Sequence, residues 1–177
     1  MKKVAIATIF AALMMISSAA VAQTTASGTL AVTATVNGSI QLVFNTDAAG
    51  LPLSSGAGTN AATLAFGNVS AFGTIATGIV RSTTATNFTV SSAVDVLVSK
   101  TNSASANYTL KAQLGAADAT NTWSVGGVAV TSAAQSTITA TGTYAANSNF
   151  PVAITVPFTS ASGTSISNSI NYVATAN

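Results

Sequence analysis

Residues 27–44 read SGTLAVTATVNGSIQLVF. Leu30, Val32, Ala34 and Val36 occupy every second position, while Thr29, Thr33 and Thr35 fill most of the other face. Alternation with a period of two is the mark of a half-buried β-strand. Asn37-Gly38 follows, and then a second apolar run with Ile40, Leu42 and Phe44. Two readings of the dipeptide stand side by side. Asn and Gly both tolerate positive φ, so the pair signals a two-residue hairpin that joins the two strands within one molecule. It also reads as a hinge, from which the first strand leaves the body and fills a groove in a neighbouring subunit.

Upstream, Lys2 and Lys3 precede an apolar run over residues 4–16, and Ala20-Val21-Ala22 forms a small-x-small site before Gln23. This pattern predicts a cleaved secretory signal peptide over residues 1–22. The apolar run is short for a membrane span, and none is expected in the mature chain. The formal net charge of +2 comes from Lys2 and Lys3. The mature chain sets Arg81, Lys100 and Lys111 against Asp47, Asp95 and Asp118 and is neutral. A nucleic-acid partner would need a basic surface, which this balance does not supply. A neutral chain also lacks the charge that keeps a free monomer soluble, which favours a protein meant to assemble. The chain has no cysteine, so neither a disulfide nor a cysteine-linked lipid anchor is available, and stability must come from packing, backbone pairing or oligomerisation.

Further along, short alternating runs are separated by Gly-, Ser- and Asn-rich stretches. Residues 45–60 read as a loop, and residues 62–67 (ATLAFG) as a short strand carrying Leu64 and Phe66. Residues 87–100 read as one long strand or two, with Ser91-Ser92 marking a bulge or turn. In residues 107–114, Tyr108, Leu110, Ala112 and Leu114 share one face. Gly126-Gly127 between two alternating runs predicts a tight hairpin. Residues 137–145 and 166–175 alternate more weakly. Phe150, Val152, Ile154, Val156 and Phe158 alternate without a break, and Pro151 and Pro157 place that strand at an edge or fray its ends. About nine strands with no helix after the signal predict an all-β fold, an antiparallel immunoglobulin-like β-sandwich, with a closed barrel as the alternative. The expected organisation is a signal peptide (1–22), an N-terminal candidate donor strand (23–36) and a β-sandwich domain (37–177).

The chemical inventory argues against an enzyme. The sequence contains no His, Cys or Glu. A Ser–His–Asp triad, a Cys–His pair and a zinc site are therefore impossible within the chain. Asp47, Asp95 and Asp118 are far apart in sequence, and a Ser–Lys pair using Lys100 or Lys111 has no distinguishing spacing. Asp47 near Asn45 offers oxygens to calcium, but Asn and Asp serve loops as backbone caps far more often. Asn37, Asn68, Asn87 and Asn107 head Asn-x-Ser/Thr patterns, which chance explains in so Asn-, Ser- and Thr-rich a chain. Trp123 and Tyr144 are the candidates for a sugar-binding platform, against the plainer role of core aromatics. No catalytic residue, cofactor or metal is predicted. An extracellular adhesin or carbohydrate-binding sandwich is the alternative function.

The order of features resembles the spore coat protein U domain group, which includes subunits of archaic chaperone–usher pili. A signal peptide is followed at once by an alternating strand (GTLAVTATV), a small-residue link (NGS), a second strand (IQLVF), a Gly-rich loop and then LAFG at Leu64 to Gly67. That family commonly carries a cysteine near the start of the second strand, where this chain has Ser39-Ile40. The resemblance implies a secreted structural subunit of a bacterial surface fibre or coat that passes through the periplasm to the cell surface. It implies a periplasmic chaperone, an outer-membrane usher and copies of the chain itself as partners, joined head to tail by donor-strand exchange. Leu30, Val32, Ala34 and Val36 are then the donor-strand residues that fill a neighbour's pockets.

Overall fold

A computed structural model describes residues 27–177. The expected signal peptide and residues 23–26 lie outside the described residues. The chain divides into two units, Met1–Thr35 and Val36–Asn177. In the first, residues 27–35 hold no strand and are exposed.

The second unit is all-β, with eleven strands and no helix among the described residues. They are β1 (Ser39–Thr46), β2 (Val80–Thr83), β3 (Asn87–Ser92), β4 (Val94–Thr101), β5 (Tyr108–Leu114), β6 (Thr122–Val125), β7 (Val128–Val130), β8 (Ser136–Gly142), β9 (Asn147–Asn149), β10 (Val152–Pro157) and β11 (Ile170–Ala176). All pairings are antiparallel, in sheets ordered β1-β4-β9, β2-β3-β10-β6-β7 and β11-β5-β8.

Two strand pairs bend together and carry the first sheet into the second. β3 and β4 are separated by Ala93 alone, and β9 and β10 by Phe150-Pro151. The bends sit side by side, because the Phe150 N–H donates to the Val94 carbonyl at 2.9 Å. Strands that bend and continue into another sheet are a usual way to close a sandwich corner. The bend at Ala93 needs close backbone approach: a Cβ on Gly50 would lie 2.1 Å from the Ala93 carbonyl oxygen. Gly126 and Gly127, both at positive φ, form the expected hairpin that pairs Trp123 with Val130.

The β11-β5-β8 sheet forms the opposite layer of the sandwich. Val96 and Val98 of β4 meet Tyr108 and Leu110 of β5 in one buried cluster. Val90, Val94, Trp123, Val125, Val152, Ile154 and Val156 meet Ala112 and Leu114 in the other. In β3, β4, β5, β6 and β10 the alternating run buries the face that its period marks. Tyr108 is fully buried and lies over Gly142, its register partner, where a Cβ would come within 2.2 Å of the ring.

Three expectations change. β10 is central, between β3 and β6, so the edge alternative fails and the prolines fall at its ends. Its prolines are tolerated because Pro151 falls in the bend and Pro157 ends the strand. The run over residues 62–67 alternates as expected, with Ala62, Leu64 and Phe66 half-buried, yet it forms only an isolated bridge, Ser55 to Thr63. Residues 30–36, read as a strand, hold none. Asn37 and Gly38 likewise hold no turn or strand, and the phase of β1 bears on the hairpin reading.

Candidate functional site: a groove beside the free edge of β11

β1 and β11 are both edge strands, paired only to β4 and β5 respectively. They approach each other across the two layers, with the Phe44 and Tyr172 rings edge to face at 5.1 Å. Beside β11 the opposite layer stops and leaves part of the core face without a strand above it, with Phe44 as the contribution of β1 to the lining. The result is an open groove of about 1250 Å³. Its floor includes Phe88, Val90, Trp123, Ile154 and Val156. Its walls are residues 60–70, which hold one isolated bridge, and residues 160–172, which carry no strand before Ile170 and then enter β11. Along the second wall Ile166, Ile170 and Tyr172 turn half-buried side chains inward. Burial holds the Tyr172 phenol above its ordinary pKa, so it is neutral there.

The hydrogen-bonding phase of each edge follows from its flanks. The Gly115 N–H donates to the Ser169 carbonyl and the Asn177 N–H to the Asn107 carbonyl. Odd-numbered residues of β11 therefore bond to β5, and the N–H and C=O groups of Ile170, Tyr172 and Ala174 point away from it. On β1, the Phe44 N–H donates to the Thr59 carbonyl, so the even-numbered residues point away from β4. Among the described residues, the main-chain groups of Ile40 and Leu42 have no partner on that side. On β11, and on β1 at Leu42 and Phe44, the residues with outward-directed main-chain groups are those whose side chains face the interior.

Leu30, Val32, Ala34 and Val36 are all exposed. Leu30 is 86% exposed, Val32 82% and Val36 74%. A two-residue turn at Asn37-Gly38 would pair Val36 with Ser39 as a mutually hydrogen-bonded pair. Ser39 is odd, so its main-chain groups face β4 instead. The same register would set Thr35, Thr33 and Ala31 beside Ile40, Leu42 and Phe44, and turn the apolar residues outward. A slip of one residue reverses every side chain of a strand, and the two-residue hairpin is one residue out of phase on both counts.

The remaining candidates fall elsewhere. Trp123 and Tyr144 form no exposed platform. Trp123 is 7% exposed, with its indole N–H on the Asp118 carboxylate at 2.8 Å, and Tyr144 is half-buried under Lys100. Burial alone would raise the Asp118 pKa. The N–H groups of Asn121, Trp123 and Thr120 outweigh it and bring the value down to about 2. Asp47 and Asp95, distant in sequence, are brought together around Asn149, whose amide donates to Asp47 at 2.7 Å and to Asp95 at 3.5 Å. The Ala49 N–H lowers the Asp47 pKa, whereas desolvation and the Asp47 charge raise that of Asp95. Neither carboxylate lines the groove. Among the described residues no three His, Cys, Asp or Glu side chains gather as metal ligands, and no helix is long and apolar enough to cross a membrane. The free edges themselves were the feature that the sequence reading missed. Their signal is the alternation at Leu64 and Phe66, which no ladder pairs, and at Ile166, Ile170 and Tyr172, where β11 is paired on one side alone. No family model, no curated protein and no solved structure matches this chain.

Proposed function

We propose that this protein is a structural subunit of a secreted surface fibre or coat whose copies join by β-strand exchange. Residues 30–36 of one copy lie in the groove of the next. Leu30, Val32, Ala34 and Val36 turn inward and the Thr face turns out. In this reading the sandwich is immunoglobulin-like and one strand short, with β1 and β11 flanking the vacant place. The observation that carries the reading is the match of phase. The groove offers interior-facing side chains and outward main-chain groups on the same residues, which is what an alternating donor strand requires. The same chain supplies such a strand, exposed and unpaired. A contact of this kind is head to tail and does not close, so it builds a filament. A periplasmic chaperone and an outer-membrane usher are the partners that the resemblance adds, the chaperone covering the groove until a neighbour fills it.

Electron microscopy of the secreted product, with and without residues 23–36, tests the reading. Fibres from the complete mature chain and none from the deletion are expected. A monodisperse monomer whose melting is unchanged by the deletion would contradict it.

A further inference from the structure

The groove ends at an exposed aromatic pair. Phe158 lines its rim and is 41% exposed. Phe72 lies outside the lining, is 74% exposed, and sits 6.2 Å from the Phe158 ring. Phe158 in turn stacks on buried Phe88 at 6.3 Å. The Phe72 loop is held in place: Arg81 Nη1 donates to the Ser70 carbonyl at 2.9 Å, Nη2 to the Gly73 carbonyl at 2.7 Å, and Ser70 Oγ to the Phe72 carbonyl at 2.6 Å. A fixed, solvent-facing aromatic paired with a second half-exposed ring is the kind of patch that marks an interaction surface.

The geometry points to the body of a second copy as what covers it. This inference rests on the strand-exchange reading. β11 offers the longer free edge, and antiparallel pairing is the more stable, so the donor runs from Ala174 toward Ile170 and leaves the groove at the Phe158 end. Only Asn37 and Gly38 separate Val36, the last pocket-filling residue, from Ser39, the first residue of the donor's own β1. Three Cα steps span about 11 Å at full stretch. The donor's body is therefore forced against the rim where Phe72 and Phe158 stand. The end of the body that arrives there is the one around Gly38, which adjoins the Asn102 backbone. It presents Ile40, 37% exposed, and the Asn102–Ala104 turn. Its nearest charged group, Lys100, is tied to the Ser105 carbonyl. An end whose nearest cation is already tied to its own backbone, set against an aromatic rim, gives the filament a second contact, body to body, beside the exchanged strand.

Full-length mature chain carrying Phe72→Ser tests this in two assays. A labelled peptide of residues 27–36, which has no body, should bind wild-type and variant monomers equally. The chain concentration at which half the protein sediments as polymer should rise about tenfold in the variant, the effect of losing one well-buried interface aromatic. An unchanged sedimentation midpoint overturns the body contact and leaves strand exchange standing, whereas failure of the wild type to take up the peptide removes strand exchange itself. Because the chain has no cysteine, paired substitutions give a second readout. F72C with N102C in one chain should yield a ladder of disulfide-linked oligomers. Dimers from F72C alone, without a ladder from the pair, would mean a symmetric contact and contradict the inference.

Discussion

Replacing Val32 by Ala in a peptide of residues 27–36 probes the proposed phase directly. The side chain loses two carbons, each worth about 0.8 kcal/mol when buried, or about 1.6 kcal/mol together. Val32 is 82% exposed in the free segment, so nearly all of that area remains to be buried in a partner. Scaling by this fraction leaves about 1.3 kcal/mol, close to a tenfold rise in Kd. Thr33, on the other face, is also exposed in the free segment. It should remain near water in the groove, so Thr33→Ala should change the Kd less than about twofold. Fluorescence anisotropy of the labelled peptides against monomeric full-length chain measures both constants. Equal losses for the two substitutions, or a larger loss for Thr33→Ala, would refute the inward placement of Leu30, Val32, Ala34 and Val36.

Two further outcomes concern the body. Asp118 has a folded-state pKa of about 2 against an ordinary 3.8, so the stability it confers is complete above about pH 4 and is lost as the pH falls toward 2. Asp47 acts in the same sense and Asp95 in the opposite one, so the melting temperature of Asp118→Asn, compared with wild type across that range, isolates the Asp118 contribution as a flatter acid limb. Gly142→Ala drives a Cβ to 2.2 Å from the buried Tyr108 ring and should cost about 1–3 kcal/mol, as overpacking does in a filled core. Urea denaturation followed through Trp123 fluorescence measures it.

The core was legible in the sequence because each buried strand carries its own period. Tyr108, Leu110, Ala112 and Leu114 alternate and are buried, as are Val94, Val96 and Val98. The Gly126-Gly127 hairpin was legible because a two-residue turn is chemically specified by its own residues. Pairing across long separations was not. Nothing local tells residues 39–46 to pair with residues 94–101, so the approach of Asp47 to Asp95 and the seat of Tyr108 on Gly142 stayed hidden. Asn37-Gly38 shows the limit most clearly. The dipeptide is right for a hairpin, but the turn would set Ser39, whose main-chain groups face β4, against Val36. That conflict appears only once the partner of β1 is known. The wall at residues 62–67 is the complementary case, with an alternation that was readable and a partner that its own sandwich does not supply.

Amide hydrogen exchange along β11, in the monomer and in assembled polymer, tests strand exchange most directly. The account predicts that the amides of Asn171, Val173 and Thr175, which bond to β5, are protected in both states. Those of Ile170, Tyr172 and Ala174 should exchange fast in the monomer and slowly in the polymer. Protection of the even-numbered amides in the monomer, or their fast exchange in the polymer, would contradict it.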